Sequence, residues 1–153
     1  MTYFGQVGKF FTGRAFDHAA AYRTEDYLAA ALWLPPGISP DEEALGELMS
    51  TAVDPALQEE VFAVLEQVGA GHPEVPHWYL PVIGVDPTRQ GQGYGSALLD
   101  HSLQAVDSAH DTAYLESTNP RNVSLYERFG FQVVGTIQTG SSPTITRMLR
   151  APR

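Results

Sequence analysis

Apolar positions along this chain recur at two periods, and the changes between them predict its elements. Over residues 3–13, Phe4, Val7, Phe10 and Phe11 fall at helical spacing and predict a short helix. Ala19–Arg23 and Leu28–Leu34 read as strands joined by a Thr24-Glu25-Asp26 turn, and Pro35-Pro36-Gly37 stops the second. Two helices follow. Ser39 is the expected cap of the first, with Pro40 at its opening position and Asp41, Glu42 and Glu43 on the positive end of its dipole. Asp54-Pro55 repeats the device for the second, whose Leu57, Val61, Val64, Leu65 and Val68 form one apolar face ending at Gly69 and Gly71.

The second half alternates strand and helix. His77–Val85 is a strand rich in Val, Ile, Tyr and Trp. A helix spans about Gly93 to Ala109, with Leu98, Leu99, Ser102, Leu103 and Val106 inward. Ala113–Ser117 is a short strand and Asn122–Phe129 a short helix ended by Gly130. Phe131–Gln138 and Thr144–Leu149 are strands around a Gly140–Pro143 turn. A strand, a crossover helix and a strand imply a parallel pair. The fold class expected is therefore α/β with a mixed sheet.

Composition narrows the picture. With 153 residues, 43% hydrophobic and 18% charged, the chain is expected to form a single globular domain over 1–153, with a helical insertion at about 39–71. It has no cysteine, which excludes disulfides and thiolate chemistry and suits a cytoplasmic location. The start Met1-Thr2-Tyr3-Phe4-Gly5 lacks the pattern of a secretory signal, and no apolar run suits a membrane span. A net charge of −9 argues against a nucleic-acid partner. Between Arg23 and Arg89 there are twelve acids and no Lys or Arg, whereas from Arg89 onward six arginines meet five acids. Such a split serves solubility, or divides the chain into an acidic half for a cationic substrate and a more basic half for a polyanionic cofactor.

The candidate chemistry begins at Gln90-Gly91-Gln92-Gly93-Tyr94-Gly95-Ser96, between a strong strand and a strong helix. Alternate glycines admit close backbone approach and φ > 0, and the helix start that follows offers unpaired N–H groups to phosphate oxygens. A Rossmann turn needs glycines two and then three apart. From Gly91 the third place is Ser96, and from Gly93 it is Leu98. A P-loop needs Gly-Lys-Ser/Thr, and no Lys is near.

Val85-x-Pro87-x-x-Gln90-Gly91-Gln92-Gly93-Tyr94-Gly95 resembles the central motif of the GNAT N-acetyltransferases. A second match lies downstream: Leu115-Glu116, Asn119, Asn122 and the run Leu125-Tyr126-Glu127-Arg128-Phe129-Gly130-Phe131, similar to the family's fourth helix and the strand after it. The resemblance covers roughly residues 15–150 and is strongest from Val82 to Phe131. It implies a mostly antiparallel sheet whose one parallel pair, here the strands at His77–Val85 and Ala113–Ser117, splays apart to admit acetyl-CoA. It further implies that backbone groups of Ile83 and Val85 pair with the pantetheine arm. Gln90, Gly91, Gln92, Gly93, Tyr94, Gly95 and Ser96 would cradle the pyrophosphate. Arg89, Arg121 and Arg128 are candidates for other phosphates, or surface charges.

The same resemblance gives Tyr126 as general acid toward the leaving thiolate, or a core tyrosine. Asn119 and Asn122 bond the coenzyme arm, or cap the helix beginning near them. Resemblance to some members of the family implies Glu116 as the base, or it is a surface strand carboxylate; His77 and Tyr79 are the alternative candidates. By the period-two rule both alternatives share the face of Val85 unless a bulge intervenes. The five histidines (18, 72, 77, 101 and 110) show no ligand spacing, so no metal is expected. The chain departs from the family in starting late and in the stretch between Leu34 and His77, which minimal members replace by a short turn. The expected activity is transfer of an acetyl group to a primary amine on a small cationic molecule. The other reading is a non-catalytic acyl-CoA sensor. A homodimer contact is expected over Phe4, Phe10 and Phe11.

Overall fold

The computed structural model describes residues 3–153; the side chains of residues 1–4, and with them the expectation for Phe4, lie outside the described residues. Six strands form one sheet: β1 (Ala21–Arg23), β2 (Ala29–Leu34), β3 (His77–Val85), β4 (Thr112–Ser117), β5 (Gln132–Ile137) and β6 (Ile145–Arg150). Their order is β1-β2-β3-β4-β6-β5, and only the β3–β4 neighbours run parallel. The helices are α1 (Tyr3–Thr12), α2 (Arg14–Asp17), α3 (Glu42–Ala52), α4 (Gln58–Ala70), α5 (Tyr94–Ser108) and α6 (Val123–Arg128).

The sheet buries apolar side chains on both faces. On one face, Leu98, Leu99, Leu103 and Val106 of α5 and Tyr126 of α6 meet Trp33, Leu80, Leu115 and Met148. The helical spacing expected of α5 is thus the spacing observed, Ser102 included. On the other face, Ala15, Leu34, Tyr79 and Tyr114 form a second cluster under Phe11 and Ile38.

The parallel pair is short. β3 and β4 are in register only at His77↔Thr112, Trp78↔Ala113 and Tyr79↔Tyr114. Beyond Tyr79 the strands part. On its other side β3 pairs with β2, where Leu32 faces Val82 but Leu34 faces Tyr79, so β3 carries one extra residue. Pro81, which has no N–H to give a ladder, lies within that bulge. The bulge reverses the faces. Tyr79 joins Tyr114 in the second cluster, while Ile83 and Val85 pack with α5. His77 and Tyr79 therefore do not share the face of Val85, contrary to the period-two expectation.

The helical insertion also starts differently from the sequence reading. Asp41, not Ser39, caps α3: its Oδ1 accepts from Ala44 N at 3.2 Å. Its own N–H donates to the Phe10 carbonyl at 2.9 Å, which anchors the cap to α1. Asp54-Pro55 makes a turn, with Ala56 N donating to Asp54 Oδ1 at 2.8 Å, and α4 begins only at Gln58. Leu57 is exposed, and no residue of α4 is fully buried, so its apolar face is half covered rather than core. Glu60 Oε2 ties α4 to the β5–β6 turn through Ser141 N at 3.0 Å and Ser141 Oγ at 2.7 Å. Phe10 and Phe11 are half-buried, not an exposed patch; Phe11 meets Tyr79 edge-on with ring centroids 6.2 Å apart.

Candidate active site

The glycine turn has the backbone its sequence requires. Gly91 and Gly93 sit at φ 75° and 90°, in the left-handed region that disfavours side chains, and a Cβ at either would meet only open space. Gly93 is the cap residue of α5, so the first N–H groups of that helix point out of the turn without intrahelical partners. Side chains brace the loop beneath. Gln90 Nε2 donates to Val85 O at 3.4 Å, Gln92 Nε2 to Thr88 O at 3.3 Å, and Tyr94 Oη to Asp26 Oδ2 at 2.8 Å. The Gly95 position stands against Leu125 of α6 and Val85 of β3, which joins the turn to both walls of the cleft beside it. These features fit a polyphosphate. Gly93→Val is expected to weaken polyphosphate binding by about tenfold, because the bound backbone would carry about 1–3 kcal/mol of strain. Calorimetric titration measures it.

Where β3 and β4 part, a cavity of about 230 Å³ opens, lined by Ile83 on one wall, by Glu116 on the other and by Asn119, Asn122 and Tyr126 at its end. Edge groups of β3 past Tyr79 face it without a β4 partner in register. Tyr126 is 5% exposed. Burial raises its hydroxyl pKa, and the Asn122 side chain beside it opposes the rise. Asn119 Oδ1 accepts from Arg121 N at 3.1 Å and so caps the single turn Pro120–Asn122 that leads into α6. Asn119 thus acts as a cap and also lines the cavity.

Glu116 sits on the far face of β4, turned toward the second cluster. Burial lifts its carboxyl above the usual carboxylate range; the nearby Tyr79 and Tyr114 hydroxyls and the Arg147 charge pull the other way. Its Oε1 is buried without a hydrogen-bond partner, as are Tyr114 Oη and Arg147 Nε. Arg147 stands opposite Glu116 on β6 and donates from Nη1 to Gly71 O at 3.2 Å. Beside that carbonyl His72 packs against Tyr79 and Tyr114, with ring centroids 4.4 and 4.8 Å away. His72 and His77 also line a second cavity of about 850 Å³, walled by Phe11 and Tyr79 on one side and by α3 and α4 on the other. Glu42, Glu66 and Glu74 are among the residues that line it.

The structure thus brings Glu116, Tyr126, Asn119, Asn122 and Ile83 around one cleft and sets the glycine turn beside it. Arg89, Arg121 and Arg128 are exposed, and Arg128 donates to Ser124 O of its own helix at 3.3 Å. Sequence reasoning missed His72, Tyr114 and Arg147. Tyr114 was within reach of the period-two rule, two residues before Glu116 on one strand. Nothing local marks His72 or Arg147.

Residues 57–133, half of the chain, match the family model for an acetyltransferase (GNAT) domain. The chain belongs to the GNAT acetyltransferase family. It is 45% identical over 65 residues to a mycothiol acetyltransferase of Propionibacterium freudenreichii subsp. shermanii, which is 40% of this chain and 20% of that protein. It is 43% identical over 67 residues to the Kineococcus radiotolerans protein of the same name, covering 42% of this chain and 22% of that one. The chain spans about a fifth of the length of these curated relatives. Among solved structures it resembles a Corynebacterium glutamicum protein described as histone acetyltransferase HPA2 and related acetyltransferase. There the TM-score is 0.62 at 25% identity, over 97% of this chain and 70% of that one. Arylalkylamine N-acetyltransferase 2 from Aedes aegypti shares the fold, with a TM-score of 0.59 at 15% identity over 84% of this chain and 70% of its own. The mixed sheet with its one parting parallel pair is the GNAT fold.

Proposed function

We propose that this chain is an acetyl-CoA-dependent N-acetyltransferase acting on the primary amine of a small cationic molecule. The observation that carries the reading is the cleft between β3 and β4, which Glu116 and Tyr126 both line. Gln90, Gly91, Gln92, Gly93, Tyr94, Gly95 and Ser96 would hold the pyrophosphate, while Ile83, Val85, Asn119 and Asn122 would hold the arm. Acetyl-CoA supplies the acetyl group as a thioester.

An amine is mostly protonated at neutral pH and must lose a proton before it can attack. Glu116, with a raised pKa and an unpartnered oxygen, suits that proton. Tyr126 Oη, neutral in its buried place, suits the return of a proton to the departing sulfur. The larger cavity suits the acceptor. Its apolar walls at Phe11, Ile38 and Leu45, with Glu42, Glu66 and Glu74 among them, favour a cation with an apolar body. We take residues 1–153 as one domain whose insertion at 39–71 walls this cavity. No helix among the described residues is long and apolar enough to cross a membrane. The cytoplasm is the proposed location. Homodimerisation stays an expectation for light scattering.

Thiol release from acetyl-CoA with a panel of amines tests the reading. Tyr126→Phe is expected to lower kcat by about 10²-fold with little change in KM for acetyl-CoA, because only the proton donor is lost. Coenzyme binding without thiol release from any amine would favour the sensor reading.

A further inference from the structure

Two histidines stand behind the proposed base, and their hydrogen bonds fix which nitrogens carry protons. His77 Nδ1 lies 2.7 Å from the Val75 carbonyl oxygen, which can only accept, so this nitrogen bears the hydrogen. In the neutral form of His77, which has a single N–H, Nε2 is left with a lone pair. That lone pair lies 2.9 Å from His72 Nδ1, so His72 donates from Nδ1. His72 Nε2 is then bare, and it faces Glu116 Oε1 at 3.6 Å. His72 is itself held neutral at ordinary pH, since burial first and then the neighbouring His77 lower its pKa to about 4.

We propose that the His77–His72 pair is a positioning device that aims a bare imidazole lone pair at Glu116 and thereby sets the proton occupancy of that carboxyl. The inference rests on Glu116 being the base of the acetyl transfer proposed above. An ionised Glu116 meets a lone pair and gains nothing from it. A protonated Glu116 needs to close the 3.6 Å gap by only a few tenths of an ångström to donate to His72 Nε2, so the pair favours the acid form. The other groups facing the carboxyl are Tyr79 from β3, Tyr114 from β4 and Arg147 from β6, and all three favour the ionised form. The histidines therefore supply a polar counterweight beyond burial alone. They hold the base nearer the pH at which an amine gives up its proton, where a general base works best. His77 touches no reacting atom; it acts by fixing the tautomer of His72.

Replacing His77 by Phe removes the acceptor for His72 Nδ1. His72 is then free to carry its proton on Nε2 and to donate to the Glu116 carboxylate. The acid limb of kcat/KM is expected to move to lower pH by about one unit, which is about tenfold more rate retained on that limb. His72→Phe, which removes the lone pair outright, is expected to move it in the same direction. Nitrogen-15 NMR of the unsubstituted protein should find His72 protonated at Nδ1 and bare at Nε2. Carbon-13 titration of Glu116 reads the same shift without any substrate. A His72 protonated at Nε2, or a Glu116 titration that stays put or rises in both variants, overturns the proposal. If no amine is acetylated but the Glu116 titration still falls in the variants, the functional reading fails and the histidine device stands.

Discussion

Glu116→Gln is expected to lower kcat/KM by about 10²–10⁴-fold while acetyl-CoA still binds, because the substitution keeps the shape of the side chain and removes its ability to take a proton. The pH dependence follows from burial, which raises the Glu116 carboxyl above its ordinary 4.5. Below the raised value the carboxyl is protonated and cannot accept, so the wild-type rate falls as pH drops through it. The variant should lose this limb along with the rate. Stability changes in the opposite sense. Between the ordinary and the raised value the folded chain binds a proton at Glu116 that the unfolded chain has lost. This contribution is complete at pH below the ordinary value and disappears as pH rises through the raised one. At neutral pH the fold holds a poorly solvated carboxylate with an unpaired oxygen, which a neutral amide would not be. The Tm of Glu116→Gln at neutral pH is thus expected to equal or exceed that of the wild type. Scanning calorimetry beside the rate assay separates the two effects. A fall in Tm together with the rate would make Glu116 structural and overturn its role as base.

Features set by local backbone chemistry could be read from the residues. The glycine turn is one, since positive φ at Gly91 and Gly93 and an open helix start are properties of that short run. The inner face of α5 is another, since Leu98, Leu99, Ser102, Leu103 and Val106 obey one helical period. What pairing decides could not be read. The bulge in β3 is one residue counted against a partner strand; Pro81 marks a break in the ladder, but only the pairing shows that Tyr79 is turned away from Val85. Ser39, Pro40 and Asp41 all suit a helix start; Asp41 takes the cap, and its N–H is held by a carbonyl of α1, far off in sequence. His72 follows a helix and meets Glu116 through contacts far off in sequence: it packs on Tyr79 and Tyr114, and Arg147, opposite Glu116 on β6, donates to the carbonyl of Gly71. The candidate site was thus legible where one segment builds it and hidden where three elements meet.

Asp107→Ala is expected to cost about 2–3 kcal/mol of stability, because it strands the charge of Arg150 in the core. Arg150, the last residue of β6, is 2% exposed and reaches Asp107 of α5. Its Nη1 and Nη2 meet both Asp107 oxygens at 2.6 and 2.9 Å, while Nε donates to Phe129 O at 2.8 Å. The Arg150 hydrogen bonds beside it hold the Asp107 carboxyl below its usual range. Loss of a fully buried partner costs about 3–5 kcal/mol, and the lower figure here reflects an Asp107 side chain that keeps 37% of its exposure. For a domain of this size the fall corresponds to a Tm lowered by about 5–10 °C, readable by scanning calorimetry. The same pair bears on the reaction. Phe129 is the residue at which α6 ends, so Arg150 pins the helix that carries Tyr126 to the sheet. Asp107→Ala should therefore lower kcat as well, even at temperatures where the variant is folded. Arg150→Met, which removes the buried charge with its partner's need for it, should recover much of the stability. It should not recover kcat, because the bond to Phe129 O is gone. Recovery of both would detach the Arg150 contact from the placement of Tyr126.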